Sequence, residues 1–266
     1  MCGIVGLFLK NPSLEPKLGA MLSSMLGVMC DRGPDSAGFA VYGHGEDGQL
    51  KLTLRSTAAG SLDGLTEELS TAVGAPIRSE RRDTHLVVWF PSEREHEVRA
   101  WLARERPEVT VVSAGTRMAT ESAVTTNGAH PFSTGIDECL VHNGSLSNHN
   151  GLRRRLQREG LSFATENDTE VAAGYLTWRM RQGDTLKEAL EASLDDLDGF
   201  YTFVVGDESG FAVLRDPISC KPAVMAETDD YVAFGSEYRV LAGLPGIEKA
   251  RVFEPEPATV YAWERR

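Results

Sequence analysis

The sequence predicts an α+β fold with a small inserted layer, and three observations carry that expectation. Residues Ile4, Val5, Leu7, Phe8 and Leu9 form a short apolar run that reads as a buried strand opening the chain. Helical patterns at about 149–159, 170–182 and 185–197 precede some 65 residues that read mainly as strands and turns. Residues 61–115 follow the order helix, strand, helix, strand, with polar helices, as a thin layer set on the main body would.

Composition narrows the class of molecule. A length of 266 residues allows one large domain or two small ones. With 41% hydrophobic and 25% charged residues, the chain has the balance of an ordinary globular protein. A net charge of −12 argues against a nucleic-acid or anionic-membrane partner. No apolar run approaches the roughly 20 residues that span a bilayer, and the N-terminus lacks the basic start and cleavage site of a signal peptide. Cys2, Cys30, Cys139 and Cys220 lie far apart, without a C-x-x-C pair, so neither a metal cage nor a disulfide framework is expected. The expectation is a reduced, cytoplasmic chain with no cofactor.

The opening run holds more than a strand. Removing Met1 would leave Cys2 with both a thiol and a free α-amine. Their reference pKa values are about 8.5 and about 7.7–8.0, so the amine is a base able to take the thiol proton, directly or through one water. Gly3 and Gly6 are read as leaving room for a substrate beside the backbone.

Asn11-Pro12-Ser13 then breaks the chain and caps a helix over about 14–29, with Leu18, Met21, Leu22, Met25 and Leu26 at helical spacing. The turn Asp31-Arg32-Gly33-Pro34-Asp35 follows, where Arg32 is either part of a plain loop or a buried cation facing the Cys2 end. A strand at 39–42 is expected to form a hairpin with Leu50–Leu54. The insert then reads as a helix near 61–73, a strand at 85–90, a charged helix over 92–105 and a strand at 109–113; nothing in it resembles a site.

Beyond the insert, Arg117 stands between threonines and reads either as a surface ion pair or as a planar fork for a carboxylate. The run Cys139-Leu140-Val141-His142-Asn143-Gly144 brings a strand up to an Asn-Gly pair, which reads either as a simple turn or as an oxyanion hole made of a side-chain amide and an open backbone N–H. Ser147 or Asn148 caps the next helix, and Asp168 either caps the one after it or stands as a carboxylate for an ammonium group. Hairpins are expected at 200–215 and 223–234, a short helix from Gly235 to about 243, and strands at 252–253 and 258–263.

Taken in order, Met1-Cys2-Gly3-Ile4-Val5-Gly6, Arg32-Gly33-Pro34-Asp35, Thr116-Arg117-x-Ala119-Thr120, Asn127-x-Ala129-His130-Pro131, His142-Asn143-Gly144 and Asp168-Thr169-Glu170 resemble the class II glutamine amidotransferase domain of the N-terminal-nucleophile hydrolases. Asp198-Gly199, Arg215-Asp216-Pro217, Lys221-Pro222 and Ser236-Glu237 resemble its later landmarks, and only about 60–112 fall outside the match. The resemblance implies a four-layer αββα sandwich. It implies Cys2 as nucleophile with its own amine as base, Asn143 and Gly144 as oxyanion donors, Arg117 for the α-carboxylate of glutamine and Asp168 for its α-ammonium. It adds Arg32, Thr120 and His130 to the substrate-binding set. Met118 and Glu121-Ser122 depart from the family's bulky residue and His-Gly in a turn that closes over glutamine, and Ser219 stands where a glycine is usual.

The chain reads as the amidotransferase domain alone, so the resemblance also implies a partner synthase subunit that accepts the ammonia. Its overall look is similar to standalone subunits of glutamate-synthase-like complexes such as N-methylglutamate synthase. A self-sufficient γ-glutamyl amide hydrolase would use the same residues. A regulatory subunit without turnover is the non-enzymatic alternative, and the presence of Cys2, Arg117, Asn143, Gly144 and Asp168 counts against it.

Overall fold

In chain order the elements are β1 (Val5–Leu9), α1 (Leu18–Met29), β2 (Gln49–Arg55), α2 (Leu65–Val73), β3 (Arg78–Arg82), β4 (His85–Pro91), α3 (Glu95–Glu105), β5 (Thr110–Val111), β6 (Cys139–Leu146), α4 (His149–Arg158), α5 (Asp168–Arg181), α6 (Leu186–Asp196), β7 (Gly199–Gly206), β8 (Gly210–Arg215), β9 (Val224–Glu227), β10 (Tyr231–Gly235), β11 (Arg251–Phe253) and β12 (Val260–Glu264). The computed structural model describes residues 3–29, 48–56, 58, 60–82, 85–111, 131–132, 138–207 and 210–265. The chain divides into two compact units, Met1–Tyr42 with Ala114–Arg266, and Gly43–Ser113.

The larger unit contains two four-stranded antiparallel sheets, ordered β1-β10-β9-β11 and β12-β8-β7-β6. Three apolar clusters separate four layers. Met21, Met25 and Met29 of α1 lie on Val224, Ala226, Tyr231 and Ala233 of the first sheet. Its opposite face brings Ile4, Phe8, Met225, Val232 and Phe234 against Val204, Phe211 and Val213 of the second sheet. On the far side, Leu140, Tyr201, Phe203 and Leu214 are covered by Leu152, Leu156, Val171, Leu176 and Leu190 from the three helices α4, α5 and α6. The architecture is therefore the α–β–β–α sandwich. One face of β1 is buried and the other, with Val5, Leu7 and Leu9, is half-buried against the α1 layer, so its sequence is apolar at consecutive positions rather than alternating.

Local chemistry shifts several expected boundaries. Helix α1 begins at Leu18 rather than near 14, since Pro12–Lys17 form a 3-10 turn with Pro16 inside it and Asn11 capping Ser13 N–H at 3.0 Å. Gly6 does not leave room for a substrate: a Cβ there would come within 2.8 Å of the Phe211 ring, so the missing side chain admits a core aromatic from the other sheet. At the other end of the chain, β10 runs through Gly235, and the expected helix reduces to a 3-10 turn at Tyr238–Val240.

The smaller unit is an antiparallel sheet ordered β3-β4-β2-β5. Helices α2 and α3 bury Leu65, Leu69, Val98 and Leu102 on Leu52, Leu54, Val88 and Phe90. Strand β2 thus belongs to this unit, whose boundary falls at Gly43 rather than near 61. All seven β2 residues pair with β4; residues 39–42, expected to form a hairpin with Leu50–Leu54, lie outside the described ones. Strand β3 was not anticipated, because Arg78-Ser79-Glu80-Arg81-Arg82 has no apolar face. It stands at the sheet edge, where charge discourages further pairing, and its Arg78 guanidinium lies 4.5 Å from the centre of the Trp89 ring. Among the described residues no helix of the chain is long and apolar enough to cross a membrane.

Candidate active site

Asn143 and Gly144 sit inside β6, not in a turn: Asn143 is paired with Thr202 and Gly144 with Tyr201. The close approach of the two strands excludes a side chain at position 144, where a Cβ would lie 2.0 Å from the Phe200 carbonyl oxygen and 2.6 Å from Tyr201 Cα. In an antiparallel ladder, alternate residues turn their N–H and C=O groups away from the neighbouring strand. Strand β6 ends its sheet, and Leu140 exchanges both backbone hydrogen bonds with Phe132, at 2.8 and 2.9 Å, on that outer side. The same parity turns the amides of Gly144 and Leu146 to that outer edge, open among the described residues. There the Leu146 N–H donates to Asp168 Oδ2 at 3.0 Å.

Asp168 is free for that contact because it does not cap its helix. The cap is Asn167, whose side chain accepts from Thr169 N–H at 2.8 Å. A second link holds the other carboxylate oxygen. The Thr169 hydroxyl reaches Asp168 Oδ1 at 3.4 Å and lies 2.9 Å from Nδ1 of His142, a β6 residue that is 2% exposed and edge-on to Phe203. The loop leading into α5 is fixed in turn. Glu170 accepts from the Ala164 and Thr165 amides at 2.7 and 2.8 Å, and Arg153 of α4 donates to the carbonyls of Thr165 and Asn167. Arg153 and Glu170 are both buried, so their charges are satisfied by backbone groups of the segment that presents Asp168.

Neither Ser147 nor Asn148 caps α4 through its side chain. The Asn148 amide instead ties the helix start to the end of α6, donating to Asp196 O at 2.9 Å and accepting from Asp198 N–H at 3.1 Å. In the other sheet, the start of β1 is pinned by Ser236: Ile4 N–H donates to Ser236 Oγ at 3.1 Å, and Ser236 N–H donates to Ile4 O at 3.0 Å. Arg215 is buried and reaches the carbonyls of Pro255, Ser219 and Lys221, while Asp216 accepts from the amides of Tyr201 and Ile218 at 3.1 and 2.8 Å. Ser219, in the position read as glycine-like, has φ of 52°.

Of the residues singled out from sequence, the structure therefore describes Asn143, Gly144 and Asp168 and brings the last two to one edge of β6. Cys2, Arg32, Arg117, Thr120 and His130 lie outside the described residues. His142 and Thr169 stood inside quoted motifs without a role; their signal was only their adjacency to Asn143 and Asp168. The buried loop anchors Arg153, Asn167 and Glu170 gave no signal beyond their being polar.

A sequence model described as a glutamine amidotransferase domain matches residues 116–243, a span that includes Arg117, Thr120, His130, Asn143, Gly144, Asp168 and Ser236. The glutamine amidotransferase-like protein GlxB of Rhizobium meliloti (strain 1021) is 56% identical over 300 aligned positions, which take in 100% of this chain and 99% of the relative. The chain belongs to the glutamine amidotransferase family. A putative glutamine amidotransferase of Methanothermobacter thermautotrophicus is 30% identical to this family member, across 98% of the chain and 99% of the relative. Two solved structures show the same fold: the allosteric regulatory enzyme of purine biosynthesis, with a TM-score of 0.56 at 21% identity, and the glutamine phosphoribosylpyrophosphate amidotransferase from B. subtilis, with 0.53 at 20%. The amidotransferase chain is covered to 98% and 99% in these superpositions but spans 46% and 49% of the two solved chains. Both share the sandwich fold expected from the sequence.

Proposed function

We propose that this chain hydrolyses the side-chain amide of glutamine through a Cys2 thioester and passes the ammonia to a partner synthase subunit. The observation that supports this most directly is the open edge of β6, which carries Gly144 and the Asp168 carboxylate two residues apart. Two residues of strand span about 6.6 Å, close to the distance between the side-chain carbonyl oxygen and the α-ammonium of an extended glutamine. A carbonyl oxygen at Gly144 thus sets the ammonium near Asp168.

In this mechanism Met1 has been removed and the Cys2 α-amine takes the thiol proton. The sulfur attacks the amide carbon, and the negative charge that forms on oxygen is met by the Gly144 N–H and the Asn143 side-chain amide. The intermediate collapses by breaking the C–N bond, and the α-ammonium returns the proton so that ammonia leaves. Water, activated by the same amine, then cleaves the thioester to give glutamate and the free thiol. Arg117 holds the α-carboxylate of glutamine, and Arg32, Thr120 and His130 complete the pocket. A partner that consumes ammonia follows from the chemistry, since hydrolysis without an acceptor only wastes glutamine; a glutamate-synthase-like complex such as N-methylglutamate synthase is the partner class this reading takes.

The test is mass spectrometry and kinetics on the full chain, alone and with its co-purifying subunits. Active protein is expected to lack Met1, a glutamine-analogue alkylator to add once at residue 2, and Cys2→Ala to abolish turnover. Full activity with Met1 retained, or an adduct at Cys30, Cys139 or Cys220, would overturn the mechanism. Equal rates with and without partner and acceptor would favour a self-sufficient hydrolase.

A further inference from the structure

We infer that His142 and Thr169 are positioning residues that set the Asp168 carboxylate for an α-ammonium group; this rests on the role given above to Asp168. His142 shares its face of β6 with Leu140 and Leu146, the face that α4, α5 and α6 cover with apolar side chains. Thr169 meets it there from the first turn of α5. The two side chains are 2% and 1% exposed beside a seam built of leucine, valine, alanine and aromatic residues. Burying polar groups costs stability unless they are bonded, and two apolar residues would fill the same space without that cost. What the pair adds is direction.

That direction follows from valence. The Thr169 hydroxyl has one proton, which it donates to Asp168 Oδ1 at 3.4 Å. Its oxygen is then the acceptor for His142 Nδ1–H at 2.9 Å. Leu146 N–H holds Asp168 Oδ2 at 3.0 Å, so each carboxylate oxygen has its own donor and the plane of the group is set. His142 Nδ1 itself stands 3.9 Å from Asp168 Oδ1. The far side of the ring reaches the other end of the site: a Cβ at Gly144 would come within 2.8 Å of His142 Nε2. One rigid imidazole thus lies between Gly144 and the hydroxyl that holds Asp168, and it sets the span from oxyanion donor to carboxylate. A glutamine whose carbonyl oxygen sits at Gly144 finds the carboxylate already placed for its ammonium. An amide without the α-amine gains nothing from that placement. The pair therefore acts on selection of the amino acid and not on the bond being broken.

The experiment compares wild type, Asp168→Ala, Thr169→Ser and the double variant Thr169→Val/His142→Leu in glutaminase assays on the full chain with its co-purifying subunits, with melting temperatures in parallel. Glutaramate, which is glutamine without its α-amine, is measured as a competitor. The double variant removes both members of the pair together, so neither is left without the other, and it is expected to melt near wild type. Its KM for glutamine should rise about three- to tenfold, the loss of one net hydrogen bond, with kcat held. Thr169→Ser, which keeps the hydroxyl, should have the wild-type KM. The inhibition constant of glutaramate should be the same in the double variant as in wild type. A wild-type KM for glutamine in the double variant, beside a raised KM in Asp168→Ala, overturns the assignment and leaves the reading of Asp168 intact. An equal loss of glutaramate binding does the same. An unchanged KM in Asp168→Ala removes that reading and the assignment with it.

Discussion

At the scale of single residues, the proposed roles separate groups that hold the ends of a substrate from groups that meet developing charge. Asp168 is gripped by Leu146 N–H and by the Thr169–His142 pair, so its carboxylate is preset for a cation rather than recruited by one. Asp168→Ala is expected to raise KM for glutamine roughly 30-fold or more with a smaller effect on kcat, the loss of a desolvated charge partner. Asn143→Ala should instead lower kcat by roughly 10²–10³, as removal of an oxyanion donor does. Steady-state kinetics on the two variants distinguish these roles, and an Asn143→Ala enzyme altered only in KM would contradict the assignment. Asn143 and Asp168 were legible in the sequence by residue type and motif. What was not legible was the physical setting. An Asn-Gly pair is ambiguous between turn and strand, and only pairing with β7 shows that Gly144 is needed for backbone approach. The pairing of Asn143 with Thr202 left no trace in the sequence, because a register between strands some 60 residues apart is not written in either strand alone.

At the scale of elements, the strands with continuous or alternating apolar residues, β6 through β10, were readable from composition. Edge strand β3 was not, because its stability comes from backbone pairing and its side chains are charged. Helix α6 shows the most regular start: Thr185 accepts from Glu188 N–H at 3.2 Å and Glu188 accepts back from Thr185 N–H at 2.8 Å. The bond from the Thr185 N–H, with a second from the Thr185 hydroxyl at 2.8 Å, holds the Glu188 carboxyl below its ordinary pKa. Two turns are less comfortable. Ser219 and Ala258 have φ of 52° and 51°, a region where an L side chain costs about 1–2 kcal/mol. At Ser219 the hydroxyl offsets part of this by donating to Asp216 O at 2.8 Å; Ala258 has no such compensation. Ala258→Gly is therefore expected to stabilise the protein by about 0.5–1 kcal/mol once the added freedom of the unfolded chain is deducted. Ser219→Gly should gain less. Paired thermal melts read the difference, and the opposite ranking would show that the Ser219 hydroxyl contributes nothing.

At the scale of the whole molecule, three apolar seams carry the sandwich, and the seam beneath α4 to α6 contains two buried tyrosines, Tyr175 and Tyr201. Burial pushes the Tyr201 hydroxyl up to about 12. It raises Tyr175 as well, with the neighbouring Asp196 carboxylate, which accepts from its hydroxyl at 2.7 Å, adding to the effect. Both groups stay neutral in the fold while the unfolded chain ionises near pH 10. Their stabilising contribution is complete below about pH 10 and is lost as the pH rises from there toward 12. Denaturant midpoints measured across that range should fall, and Tyr201→Phe should flatten the decline. The outer seam has a different consequence, one of timing. Among the described residues β1 pairs only with β10, and the bond from Ile4 N–H to Ser236 Oγ joins positions 232 apart. At 5–20 residues per second, a ribosome needs about 10–50 s to travel that distance. Throughout that interval β1 has no partner strand to join, and under the proposed mechanism this leaves time for Met1 to be removed before Cys2 has to react. The order of synthesis then sets maturation ahead of assembly, because β1 is seated late.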